Sequence, residues 1–154
     1  SGRATVGATV RDFDLAGRDT EVDFSVGTEL TWRPLARTFL NLIILREFAD
    51  TSTPGQFGLV RSTFQVTGNQ AFTKYLAAHV LLRAVTDDFV SSARDDITYN
   101  VIVGGTYHLL RWLGVGLRYE RESKDSDVSV NDYDQNQVIL TLTVGLRSFL
   151  PAFP

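Results

Sequence analysis

The chain has 154 residues, a formal net charge of −3 and no cysteine. That length suits one domain, the near-balanced charge without a basic stripe sets nucleic acid aside as a partner, and disulfides and thiolate metal sites are excluded. No run of about eighteen apolar residues offers a transmembrane helix, but the mean hydropathy of −0.02 is what a strand-built membrane protein also shows.

Residues 2–13, GRATVGATVRDF, set Ala4, Val6, Ala8 and Val10 on one parity against Arg3, Thr5, Gly7, Thr9 and Arg11. Successive side chains of a strand point to opposite faces, so this spacing predicts a strand with one apolar and one polar face. After a turn at LAGRD, residues 21–33, EVDFSVGTELTWR, repeat it. Val22, Phe24, Val26, Leu30 and Trp32 oppose Glu21, Asp23, Ser25, Gly27, Glu29, Thr31 and Arg33. The short turn RPLA leads to RTFLNLIILREF, where Leu40, Leu42 and Ile44 keep the apolar parity. The loop ADTSTPGQFG precedes LVRSTFQVTGN, and the turn AFTK precedes YLAAHVLLRAV. The loop FVSSARDD, the strand TYNVIVGGTYH, the turn LLRW and the strand LGVGLRYERE follow. The polar stretch SKDSDVSVNDYD then leads to QVILTLTVGLR.

Eight strands of about ten residues are thus expected, each long enough to cross a bilayer at a tilt. Four polar, mostly long connections alternate with three short turns, as in outer-membrane barrels. Pro34, Pro54, Pro151 and Pro154 are expected outside the strands, because proline cannot donate to a ladder. A loose repeat of roughly 35–40 residues, GTELTWRPLARTFLNL against GGTYHLLRWLGVGL, fits stacked hairpins of one design. The expected fold is all-β: an eight-stranded antiparallel up-and-down transmembrane β-barrel over residues 1–149, with 150–154 as a tail. The chain opens at Ser1 without a leader and is read as mature, trimmed or engineered.

Three features turn the apolar face toward lipid. Gly7, Gly27, Gly104, Gly114, Gly116 and Gly145 fall on the polar parity, where a curved barrel has least room. Aromatics gather at strand ends: Trp32, Phe72, Tyr75, Tyr107 and Trp112 near the short turns, Phe48, Phe57, Phe89, Tyr99, Tyr119 and Tyr133 near the loops. Such belts mark the two bilayer interfaces. The polar parity mixes Arg3, Arg11, Arg61, Arg83, Arg118 and Arg147 with Glu21, Asp23, Glu29, Glu47, Asp87 and Glu120, a set able to neutralise itself inside a lumen. A soluble lipocalin-like barrel has the same alternation with the faces exchanged. Lysine argues against it: only Lys74 and Lys124 occur, and both are expected in connections.

The pattern TW-RPL-x-RTFLNL, then RE-F, then DDITYNVIVGGTYHLLRWLGVGLRYERESKDSD and NDYDQNQVILTLTVGL, resembles the β-barrel porin 2 family of Gram-negative outer-membrane proteins. The likeness runs from about Thr31 to Leu146 and rests on Tyr107, the LLRW turn, Tyr119-Glu120 and Asp132-Tyr133. It implies an outer-membrane location and insertion by the outer-membrane assembly machinery; family members accompany exopolysaccharide or capsule loci. They are also larger, so the resemblance implies a fragment or a cut-down barrel. The inward Ile43, Leu45, Leu81, Val85, Ile102 and Ile139 suit a filled barrel of the OmpA/OmpX size. Phe149, on the inward parity and followed by LPAFP, departs from the terminal aromatic that assembly recognises.

No catalytic constellation emerges. His79 and His108, the only imidazoles, fall on the inward parity without a paired nucleophile or a metal spacing. Asp87-Asp88, Asp95-Asp96, Asp125, Asp127, Asp132 and Asp134 crowd the loops and are read as solvated, with Ca²⁺ or Mg²⁺ bridging to lipopolysaccharide as the alternative. The expectation is a monomeric membrane scaffold with a side-chain-filled lumen, lipid as its partner, and no cofactor, metal or catalysis. A narrow pore or part of a polysaccharide-export porin is the alternative, and a soluble ligand carrier or a lipid-modifying enzyme stands behind that.

Overall fold

A computed structural model describes residues 1–11, 21–49, 58–89 and 94–145, with side chains for 1–7, 24–49, 58–89 and 94–145. They form one antiparallel sheet in chain order: β1 (Gly2–Arg11), β2 (Glu21–Leu35), β3 (Thr38–Ala49), β4 (Leu59–Ala71), β5 (Leu76–Phe89), β6 (Asp95–Leu110), β7 (Leu113–Ser126) and β8 (Tyr133–Val144). A 3₁₀ turn, Ser129–Asn131, joins the last two. The eight-stranded, up-and-down, all-β expectation holds. Strands β1 and β8 are the edges, and among the described residues no ladder joins them.

Two of the three short turns are tighter than the sequence suggested. Leu35 pairs with Thr38 across the tip Ala36-Arg37, and Leu110 pairs with Leu113 across Arg111-Trp112. In the turn between β4 and β5 the Thr73 hydroxyl accepts the amides of Tyr75 and Leu76 at 3.1 and 3.0 Å, a side chain standing in for a backbone acceptor.

Two expectations need correction. Pro34 lies inside β2, where the ladder to β3 shifts register between Trp32 and Leu35. A bulge leaves one residue unpaired, so the missing N–H costs no rung. Pro54, Pro151 and Pro154 lie outside the described residues. Lys124 also belongs to a strand, pairing with Tyr133 across β7 and β8, whereas Lys74 does sit in a turn. Strands run from 10 to 16 residues, and much of the excess over ten lies at the loop ends. The acid pairs thus face each other inside the ladder, Asp87 opposite Asp96 and Asp88 opposite Asp95.

Register carries the period-two pattern across the sheet. One row runs Glu29, Ile43, Gln65, Arg83, Asn100, Glu122, Gln135, and the next runs Leu30, Leu42, Val66, Leu82, Val101. The first face is largely polar and the second apolar. The apolar face is bare: Phe24 is 69% exposed and Leu140 73%. Leu59 and Ala71 are the buried apolar side chains among the described residues, while Asn41, Asp96, Asn100 and Ser126 are buried on the polar side. Water would not tolerate so large a contiguous apolar surface, but hydrocarbon would cover it. Two clefts lie against the polar face.

Hydrogen-bonded rows run obliquely to the apolar band. The row from Trp32 passes through Leu40, Gly68 and Val80 to Val103, whereas the aromatic at the turn end of β6 is Tyr107, four residues further. Placing the two aromatics at one level gives a shift of about 13 Å over four strand steps of about 19 Å in all, an inclination of about 35°. That falls within the tilt of outer-membrane barrels.

Candidate functional site

The polar face carries the chemistry, and adjacent strands build it pairwise. Near the loops, Arg61 on β4 grips Asp87 on β5 through Nε and Nη2 at 2.7 and 2.9 Å. Glu47 stands opposite Arg61 in the β3–β4 register. Opposite Asp87, the Asp96 carboxylate accepts the Arg94 guanidinium at 2.9 and 2.5 Å, the Lys124 ammonium at 2.8 Å and the Ser126 hydroxyl. Like charges across a rung repel, so Arg61 on one side and Arg94 with Lys124 on the other are what make the Asp87–Asp96 rung tenable. The same pairing holds the Arg94 guanidinium above its ordinary pKa. Its planar group also lies 4.6 Å from the Phe89 ring centre.

Toward the middle of the sheet the partners are amides as often as charges. The buried Asn100 donates to Glu120 and Glu122 at 3.1 and 3.2 Å, and Arg118 reaches Glu120 at 3.5 Å. Arg83 donates to Gln65 at 2.9 Å, and Gln65 passes a bond to Thr67 at 3.3 Å. Glu29 accepts Asn41 at 2.9 Å, with Thr31 sharing the same amide at 3.2 Å.

Of the charges picked out in the sequence, the structure therefore joins Arg61 with Asp87 and Arg118 with Glu120. It gives Glu29 and Arg83 to neutral amides, and it sets Arg3 opposite Glu29 in register. Arg11 pairs with Glu21, and Asp23 with Thr9, along the β1–β2 backbone, but their side chains lie outside the described residues, as do Arg147, Phe57 and Phe149. Sequence reasoning missed Arg94, Lys124, Ser126, Asn100, Glu122, Asn41 and Gln65. The parity of β6 and β7, continued past Thr98 to Asp96 and past Glu120 to Ser126, would have found most of them.

The aromatics divide. Trp32, Tyr107 and Tyr119 stand on the apolar face, and Phe72, Tyr75 and Trp112 on the turns, all exposed. Tyr119 anchors its hydroxyl on Asn136 at 2.6 Å. Lys74 lies 4.8 Å from the Tyr75 ring centre. Tyr133 belongs to the polar face, where its hydroxyl donates to Glu122 at 2.5 Å.

Both histidines lie over glycine. A Cβ on Gly104 would strike the His79 ring and stand 3.0 Å from the Leu117 carbonyl, and one on Gly114 would touch His108 at 3.5 Å. Gly104→Ala is expected to destabilise by about 1–3 kcal/mol through overpacking, read as a lowered urea midpoint in vesicles. His79→Ala in the same chain should recover part of the loss.

The family model described as Putative beta-barrel porin 2 matches residues 1–146. The chain belongs to that family. No curated protein and no solved structure matches it. As a β-barrel porin it is a membrane protein of the strand-built class. The family points to the bacterial outer membrane, and porin-like barrels generally carry out no catalysis.

Proposed function

We propose that this β-barrel porin 2 chain forms the wall of a water-filled outer-membrane pore, with its apolar face in lipid and its paired charges toward the permeating solute. The observation that carries the reading is lateral pairing. Every ion pair among the described residues joins groups on one strand, on adjacent strands or, for Arg94 and Asp96, at the start of β6. A plugged eight-stranded barrel fills its interior with side chains that meet across the axis. Here two inward arginines stay wet: Arg61 is 41% exposed and Arg118 44%. On β8 the polar-parity Gln135, Gln137, Thr141 and Thr143 are exposed as well. This moves the reading from the filled scaffold toward transport.

Reconstitution into planar bilayers tests it. Steady single-channel conductance is expected, from material whose gel mobility differs between boiled and unboiled samples. Heat-modifiable, inserted protein that stays electrically silent would return the role to a scaffold.

A further inference from the structure

Charge is distributed unevenly along the chain. The stretches 30–46, 62–86 and 97–119, each centred on a short turn, contain none of the chain's 18 carboxylates. They hold seven of its 15 cations, and four of these, Arg33, Arg37, Lys74 and Arg111, lie at or beside the short turns. A chain with net charge −3 therefore has a cationic turn end and an acidic loop end. Toward the loop end, among the described residues, Arg61 is committed to Asp87, Arg94 to Asp96, and Arg121 to Asp134 at 2.9 Å. At the turn end, among the described residues, neither Arg33 nor Arg37 makes an ion pair.

Those two arginines line a cleft of about 460 Å³ with Phe39, Asn69, His79 and Thr106, and among the described residues no carboxylate contributes to its wall. Arg33 stands 5.8 Å from the centre of the Phe39 ring. An uncommitted guanidinium presents a planar fork that matches a carboxylate or phosphate in two parallel bonds. Asn69 and Thr106 add neutral donors, and Phe39 with Ala71 and Ala77 supplies an apolar wall. We propose that this cleft is a binding station for a small soluble oxyanion, a carboxylate- or phosphate-bearing solute, gripped by Arg33 and Arg37 at the turn-end mouth. The proposal rests on the pore reading only for the cleft's place on a transport route.

The test uses the full chain folded in detergent micelles, with arginine side-chain Nε resonances followed during titration with inorganic phosphate, citrate and, as a neutral control, glucose. Saturable shifts at Arg33 and Arg37 are expected with phosphate and citrate, weakening as salt screens the charges, and none with glucose. Arg33→Gln with Arg37→Gln should weaken citrate binding at least about tenfold. Arg111→Gln, a turn-tip cation outside the cleft, should leave it within about twofold. If the double glutamine variant fails to fold, Arg33→Lys with Arg37→Lys keeps the charge, loses the fork and should still weaken binding. Equal response to glucose, an unaffected double variant, or an Arg111→Gln loss as large as the double variant's would overturn the site. Micelles doped with phosphatidylglycerol form a separate arm: saturation by that lipid without response to soluble phosphate would overturn a soluble ligand. Conduction is not needed for the readout. Citrate binding by a silent protein removes the pore reading alone, and a conducting protein blind to citrate removes the cleft alone.

Discussion

Leu140→Arg is expected to cost about 2–4 kcal/mol and to prevent insertion into lipid vesicles, the depth-dependent cost of a lipid-facing arginine near the bilayer midplane. Leu140 sits inside the exposed apolar run Val138, Leu140, Leu142 and Val144 of β8, opposite Leu117 of β7. The adjacent Thr141 shares the polar parity, opposite Gly116, so Thr141→Arg should insert with a loss below about 1 kcal/mol. Trp32→Arg, at the turn-end belt, should also be mild, about 0–1 kcal/mol. Vesicle insertion followed by the boiled and unboiled gel shift reads all three. Equal behaviour of Leu140→Arg and Thr141→Arg would mean that lipid does not lie on the valine and leucine side.

The contrast between neighbouring positions is available because period two is a local property, written into residues 21–32 of β2 and 113–120 of β7. It made the strands and their two faces legible without the structure. Loop-end strand limits were not legible, because the alternation there changes character: Asp95 and Asp96 are both acidic and Lys124, Asp125 and Ser126 all polar, so hydropathy gives no period while the ladder continues. Pro34 misled for a related reason. Its missing donor forbids a ladder rung but permits a bulge, and a bulge leaves no mark in the apolar pattern.

Partner choice was less legible still. A list of inward arginines and carboxylates says that charges can cancel, but which group meets which is set by register. Register put Asn41 beside Glu29 and Gln65 beside Arg83, placing an amide where an opposite charge was expected. It also set Asp87 against Asp96, a rung that sequence alone would reject as repulsive. Closure is more remote from local pattern than either. Nothing in the alternation of β1 or β8 says what pairs with their outer edges, so an interior filled by eight strands was inferred from strand count and inward Ile43, Leu81 and Ile102, not from contacts.

The Asp87–Asp96 rung also yields the second large effect. Asp96 is 1% exposed and joins Arg94, Lys124 and Ser126, while Asp132 accepts the Ser126 amide at 2.8 Å and Asp127 accepts the Asp95 amide at 3.1 Å. One carboxylate thus ties the start of β6 to the end of β7. Removing one partner of a buried pair costs about 3–5 kcal/mol because the other charge is left uncompensated. Arg94 and Lys124 keep roughly a fifth of their side-chain surface in water, which lowers the expected loss for Asp96→Ala to about 2–3 kcal/mol. Asp96→Asn keeps the shape and one acceptor and should lose about 1–2 kcal/mol. Urea midpoints in vesicles measure both, and amide exchange at Ser126 and Asp127 should accelerate together, since the two strand ends would open as a unit. Combining Asp96→Ala with Lys124→Met should cost less than the sum of the single changes, because the ammonium that the first change strands is gone. Additive costs would mean that Asp96 and Lys124 stabilise the sheet independently, and the carboxylate would no longer explain how two acids share a rung.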